Sequence, residues 1–281
     1  MAAHLKASAY GKSQVRLTKV TRRADRHDLK EISVDILLEG NFDRSYTHGD
    51  NSLLVATDTM KNTVYALAKN HPLESIESFG AHLADHFLSR NAHLTAVTID
   101  IAEQPWNRID VKGKAHSHAF VGGGSEQRIT NLRKTREGTR IESGVSGLLV
   151  LKTTDSAFTG FIRDEYTTLA DTNDRIFATS VTAKWIYSSD RADYNASYEK
   201  IRKAMLEVFA THKSLGVQQT LYAMGEAALD VCGEISEIHL EMPNQHRLLI
   251  NLAPFKMDNP NEIFVPTNEP FGLITATVAR K

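Results

Sequence analysis

A chain of 281 residues, 41% apolar and 24% charged, can build one large core or two ordinary ones, and its formal net charge of -1 offers no bulk field for nucleic acid or an anionic membrane. The single cysteine, Cys232, excludes an internal disulfide and suits a reducing compartment. No stretch approaches the roughly 18 apolar residues of a membrane span, no apolar signal-peptide core opens the chain, and the end reads Ala279-Arg280-Lys281, not the peroxisomal Ser-Lys-Leu, so a cytoplasmic protein is expected.

Two strands come first, with period-two alternation in Val15 and Leu17 and then in Ile32, Val34, Ile36 and Leu38. The apolar run Leu53-Leu54-Val55-Ala56 ends in Thr57-Asp58, and helical spacing begins at once in Met60, Val64, Leu67 and Ala68. Asp58 is expected as the N-cap, its carboxylate accepting from first-turn amides; the amides beyond Thr57 would then form a small positive site for an anionic or polar ligand. By itself such a junction reads as simple capping. A second helix carries Ile76, Phe79, Leu83 and Phe87, a strand follows in Val97, Ile99 and Ile101, and a fourth strand is expected near His116 to Val121. Gly122-Gly123-Gly124 and the polar stretch Lys134 to Gly138 mark the expected seam between a first unit, residues 1–137, and a second, residues 138–281.

The second half repeats the order. Strands are expected at Leu148 to Leu151 and at Val181, Ala183, Trp185 and Tyr187; helices at Tyr198, Ile201, Met205 and Val208 and at Val217, Leu221, Met224, Ala228 and Val231. Strands return at Ile238, Leu240 and Met242, at Leu248, Ile250 and Leu252, and at Leu273 to Val278. Strand-strand-helix-helix-strand-strand, twice, predicts an α+β chain of antiparallel sheets with helices on one face. Open sheet edges in such a design are usually covered or paired, which predicts a homo-oligomer.

Of the 12 histidines, His116 and His118 share a strand face, and His82 and His86 share a helix face. Two imidazoles are an incomplete coordination shell, so no metal is expected. There is no phosphate-binding loop, dinucleotide fingerprint or Gly-x-Ser-x-Gly elbow, and Cys232 reads as a core residue. Several polar segments are odd as architecture: Tyr10-Gly11-Lys12, the aromatic and charged stretch Phe158 to Leu169, Asp174-Arg175, Val217-Gln218-Gln219-Thr220, and Pro243-Asn244-Gln245-His246. Taken singly, Arg175 reads as a surface arginine, Phe158 as a core or interface ring, and His246 as a solvated turn residue.

Together these segments resemble the urate oxidase (uricase) family, in its bacterial form. The matching stretches are Tyr10-Gly11-Lys12, Asp50-Asn51-Ser52, Val55-Ala56-Thr57-Asp58, Lys61-Asn62-Thr63, Ser156 to Leu169, Asp174-Arg175-Ile176 and Pro243 to His246, in the family's order from about Tyr10 to Thr277. The resemblance implies tandem tunnelling-fold (T-fold) units, with four chains closing into a barrel. It implies oxidation of urate by O2 and water to 5-hydroxyisourate and hydrogen peroxide without metal or organic cofactor. The implied catalytic relay is Lys12, Thr57 and His246; the implied substrate contacts are Thr57, Asp58, Phe158, Arg175, Val217, Gln218 and Asn244. It also implies a homotetramer with active sites at chain interfaces, so that Lys12 and Thr57 meet residues of a neighbour. The chain departs from the family at Arg247-Leu248-Leu249, where aromatics are frequent, and at Gln245, where lysine is frequent. A zinc-dependent pterin or purine enzyme of the same fold and a non-catalytic purine-binding scaffold are the alternative expectations.

Overall fold

Ile32, Val34, Ile36 and Leu38 alternate with polar residues and are buried together in the computed structural model, which describes residues 3–267 and 269–281. They belong to β2 (His27–Gly40), which pairs antiparallel with β1 (Tyr10–Arg22). After a single-turn α1 (Asp43–His48) come α2 (Thr57–Asn70) and α3 (Ile76–Arg90), then β3 (Leu94–Gln104), β4 (Trp106–Val111), β5 (Lys114–Gly122) and β6 (Gln127–Thr135). The chain continues as β7 (Thr139–Lys152), β8 (Phe177–Tyr187), α4 (Tyr194–Thr211), α5 (Val217–Val231), β9 (Ile235–Asn244), β10 (Arg247–Leu249), β11 (Phe264–Pro266) and β12 (Gly272–Ala279). It divides into two compact units, one running to Gly144 with Ile186–Asn195 added, the other comprising Val145–Trp185 and Ala196–Lys281.

In the first unit β1, β2, β3 and β6 are neighbours in that order, each pair antiparallel. Helix α2 lies over β1, burying Met60, Val64 and Ala68, and α3 lies over β3 and β6, burying Ile76, Phe79, Leu83 and Phe87. In the second unit α5 lies over β9 and β12, close enough that a Cβ on Gly225 would stand 2.7 Å from a Val278 methyl. Phe209 and Tyr198 of α4 meet Phe177 and Trp185 of β8. This is a mixed α+β chain with extensive antiparallel sheet. Among the described residues no helix is long and apolar enough to cross a membrane.

Two expected strands take other places. Residues 116–121 do form a strand, β5, but it pairs with β4 as a separate hairpin, and the sheet's fourth strand is β6. The inward positions of β6 are Arg128, Thr130 and Leu132, so polar side chains hide the alternation. Of Leu248 to Leu252 only Leu248 and Leu249 join a strand, the three-residue β10 paired with β11, and both are exposed. The alternation there has no core to face.

The polar residues inside β6 serve a buried network. Glu77 is fully buried, accepts from Arg128 Nη2 at 2.8 Å and from the Ser143 hydroxyl at 2.7 Å, while Arg128 Nη1 donates to Asn195 Oδ1 at 2.6 Å. Ser143 also reaches Thr130 at 3.1 Å, and Asn195 donates to the Glu74 carbonyl at 3.0 Å. One carboxylate thus ties the head of α3 to β6, β7 and the approach to α4. Removing one member of such a pair strands the other charge out of water. Glu77→Ala is therefore expected to lower stability by about 3 kcal/mol or more, read as a fall in the thermal or urea unfolding midpoint.

Candidate functional site

In the first unit the residues Tyr10, Gly11 and Lys12 open β1. A Cβ on Gly11 would stand 1.7 Å from the Ile36 carbonyl oxygen, so glycine is what allows β1 to lie this close to β2. Lys12 pairs with Ile36, and the register then shifts before Val15. At this bulge Gln14 takes a φ of 58° and its amide donates to Asp35 Oδ1 at 2.5 Å. The Tyr10 hydroxyl accepts from the Val55 amide at 2.7 Å, and its ring meets Phe42 edge-on at 4.9 Å. Burial raises the pKa of this phenol, keeping it neutral. One hydrogen bond therefore holds the start of β1 to the segment that enters α2.

Helix α2 begins one residue earlier than the expected cap. Ala56 is the N-cap, its carbonyl accepting from Met60 at 3.1 Å, and Thr57 and Asp58 are the first two helical residues, both exposed. Asp58 is thus not the N-cap. Its carboxylate, pointing along the helix, accepts from Lys61 Nζ at 2.5 Å and Asn62 Nδ2 at 2.9 Å instead of from backbone amides. The hydrogen bond from Lys61 chiefly lowers the Asp58 pKa, and the charge of Lys12 adds to the lowering. The first-turn amides are left without a side-chain cap, with an acidic residue beside the positive end of the helix.

In the second unit the loop between β7 and β8 is closed by its own backbone. Ser214 donates to the Asp155 carbonyl at 2.9 Å and accepts from Ala157 at 2.7 Å; Phe158 and Thr172 exchange hydrogen bonds at 2.8 and 3.0 Å; Arg175 donates to the Ser156 carbonyl at 2.8 Å. Ser214 is fully buried, and its hydroxyl donates to the Gly216 carbonyl at 3.1 Å, at the N-cap of α5. These bonds bring Phe158, Arg175 and the head of α5 together. The Arg175 guanidinium carbon lies 5.3 Å from the centre of the Phe158 ring, and that ring stacks on Phe161 at 4.9 Å and 8°. Val217 is buried and Gln218 exposed. The neighbouring Gln219 side chain accepts from the Leu215 amide at 3.0 Å, whereas the Gln218 amide has no hydrogen bond among the described residues.

Arg175 is the least ordinary group of this unit. It is half-buried, burial lowers its pKa, and its guanidinium has no hydrogen bond or ion pair among the described residues. An arginine keeps its charge throughout the physiological range, so five donors stand partly desolvated without a counter-ion. Arg175 opens on a cavity of about 460 Å³ lined also by Thr172, Asn244, His246, Arg247 and Phe264. Asn244 ends β9, and the turn after it is fixed by the Gln245 amide donating to the Ala178 carbonyl at 2.9 Å. Among the sequence-derived candidates, Arg175, Asn244 and His246 thus share one cavity, with Phe158 beside Arg175 and Val217 and Gln218 at the head of α5. Lys12, Thr57 and Asp58 form a second cluster in the other unit. Sequence reasoning missed Ser214, which orders the loop, and the hydrogen-bonding role of Arg247. A small Ser-Leu-Gly step just before a helix was the available signal for Ser214.

Of the histidine pairs, His116 and His118 do meet, with ring centres 4.6 Å apart, whereas His82 stacks on His71, not His86.

The Uricase family model matches residues 8–133 and 141–275. The uricase of Arthrobacter globiformis is 43% identical over 272 residues, 97% of this chain and 88% of the relative, and that of Schizosaccharomyces pombe is 39% identical over 99% of this chain and 98% of the relative. The chain belongs to the uricase family. Its fold agrees with the crystal structure of the Arthrobacter globiformis uricase at a TM-score of 0.95 and 42% identity, covering 100% of this chain and 96% of that one. It also agrees with the urate oxidase of Bacillus sp. TB-90 at a TM-score of 0.85 and 27% identity, covering 97% and 100%. None of these uricases favours the zinc-dependent alternative.

Because Tyr10 holds the entry to α2 through one hydrogen bond, Tyr10→Phe leaves the half-buried Val55 amide without its acceptor. Amide hydrogen exchange should accelerate about ten-fold at Val55, with the buried strand amides of β2 unchanged.

Proposed function

We propose that this chain oxidises urate with O2 and water to 5-hydroxyisourate and hydrogen peroxide, at a site that needs no metal or organic cofactor. Membership of the uricase family supports the reaction, and one observation carries the site: the half-buried, unpartnered Arg175 guanidinium beside Phe158, on a cavity shared with Asn244 and His246.

Urate is flat, electron-rich and anionic. Phe158 offers it a ring face, Arg175 a planar charged fork, and Gln218 an amide that both donates and accepts. Val217, buried at the head of α5, shapes the floor beside Gln218. The exposed first turn of α2 supplies amides for a further polar edge of the substrate, with Asp58 supporting the Thr57 turn. Removing a second proton from urate makes it a better one-electron donor to O2. Lys12, acting through the Thr57 hydroxyl, and His246 form the relay that assists removal of that proton. Thr57 and Asn244 hold O2, and then water, above the ring. The oxygen-derived product balances the reaction: O2 gains two electrons and two protons to become peroxide, and water supplies the new hydroxyl of 5-hydroxyisourate.

In this proposal the Lys12–Thr57 cluster of one chain faces the Phe158–Arg175–Asn244 cluster of its neighbour. Four chains, each a tandem pair of T-fold units with its seam near residues 137 and 138, close their sheet edges into a barrel. The enzyme acts in the cytoplasm, with urate, O2 and its own copies as partners.

The chelator-treated protein should consume urate absorbance while releasing one peroxide per urate; activity lost on chelation and restored by a metal contradicts the cofactor-free reaction. Lys12→Ala and Thr57→Ala should each lower kcat by about 100-fold or more, the scale of a lost proton-transfer group. Arg175→Met should act mainly on binding, raising KM by about 10- to 100-fold, as expected for a lost charge-assisted hydrogen bond.

A further inference from the structure

The turn carrying Asn244 and His246 has few fastenings of its own. Neither side chain has a hydrogen bond among the described residues, so both inherit their placement from the backbone. That backbone is held by the Gln245 amide on Ala178 and by the Thr267 amide donating to the His246 carbonyl at 3.0 Å. The following strand, β10, is three residues long, pairs only with β11, and exposes Leu248 and Leu249, so no core side chain anchors it. Asn244 itself is held in the sheet opposite Gly272 of β12, and beyond it the turn has a further anchor in Arg247. Its guanidinium folds back over the turn, and Nη1 donates to the Gln245 carbonyl at 3.3 Å and to the His246 carbonyl at 3.0 Å. The same half-buried side chain lines the cavity onto which Arg175, Asn244 and His246 open.

We propose that Arg247 is a positioning residue for the oxidation, its guanidinium clamping the two successive carbonyls of the turn and thereby aiming His246 into the cavity. The inference rests on the proposed urate oxidation at this site. A charged donor holds both carbonyls in one orientation, where an apolar side chain would leave the Gln245 carbonyl to water and the His246 carbonyl to the Thr267 amide alone. Arg175, Phe158 and Gln218 bind substrate from other elements, so loosening this turn separates turnover from binding. Catalysis is sensitive to such loosening: a displacement of about 1 Å in a reacting group can cost up to 100-fold in rate.

The test compares the wild type, Arg247→Met and Arg247→Lys as full-length proteins, with aerobic turnover and anaerobic urate binding measured on the same preparations. Arg247→Met should lose about ten-fold or more in kcat, while anaerobic urate binding keeps its stoichiometry and stays within about three-fold in affinity. Arg247→Lys, which retains a charged donor, should recover most of the rate. Wild-type kcat in Arg247→Met overturns the inference. So does a loss of kcat in step with the number of urate sites, which marks misfolding, and so does a lysine variant no better than methionine. A wild-type chain that binds urate without oxidising it overturns the proposed function and this inference with it; an active wild type beside an unimpaired Arg247→Met overturns this inference alone.

Discussion

The second unit turns on the backbone of one buried serine. Ser214 accepts from Ala157, donates to Asp155 and closes onto Gly216, fastening a long loop without regular structure to the head of α5. Buried backbone polar groups must find partners, and here the partners hold Phe158 and Arg175 together, with Phe158 near the Gly216 cap of α5. The result leaves a guanidinium half-buried with no counter-ion among the described residues. A fold bears that cost where a ligand supplies the missing charge, and a planar anion is the ligand whose shape and sign match.

The first unit solves the corresponding problem with polar groups held inside. Glu77 gathers Arg128, Ser143 and, through Arg128, Asn195, so that α3 and β6 are joined by charge as well as by apolar contact. At the rim of the same unit, Gly11 lets β1 approach β2 and the Tyr10 hydroxyl holds the approach to α2, setting Lys12 and Thr57 on elements tied to each other. Rigid scaffold and exposed functional groups are separated by only a few residues, the usual arrangement where loops and helix ends carry chemistry.

Most of the skeleton was legible in the sequence because period-two and helical spacing of apolar residues report directly on a buried face, as in Ile32 to Leu38, Met60 to Ala68 and Ile76 to Phe87. β6 was illegible for a physical reason: its inward positions hold Arg128 and Thr130, which no apolar pattern can flag, because their burial is balanced by Glu77 and Ser143 on distant segments. Leu248 to Leu252 misled in the opposite sense, since alternating leucines without a facing core need not extend a strand. The expected cap at Asp58 lay two residues past the observed one at Ala56, with Lys61 and Asn62 taking the carboxylate that the cap geometry would have used. Of the proposed site, Lys12, Thr57, Phe158, Arg175, Gln218, Asn244 and His246 were reachable through their joint resemblance to one family. Ser214 and the hydrogen-bonding role of Arg247 were not, because their function is to bond main-chain carbonyls and amides that only folding brings near.

What unites these parts is a division of labour: one unit offers a helix end with Lys12 and Thr57, the other a cavity with Arg175, Asn244 and His246, and the proposed chemistry needs both from different chains. Complementation tests this most directly. Two impaired variants, Thr57→Ala and Arg175→Met, are co-expressed and the mixed assembly is assayed for urate oxidation at urate well below KM, where both defects lower the rate. Random mixing of chains in a symmetric assembly should restore about a quarter of the sites to wild-type composition, and urate turnover with them. A mixed assembly no more active than its two parents would contradict a site shared between chains.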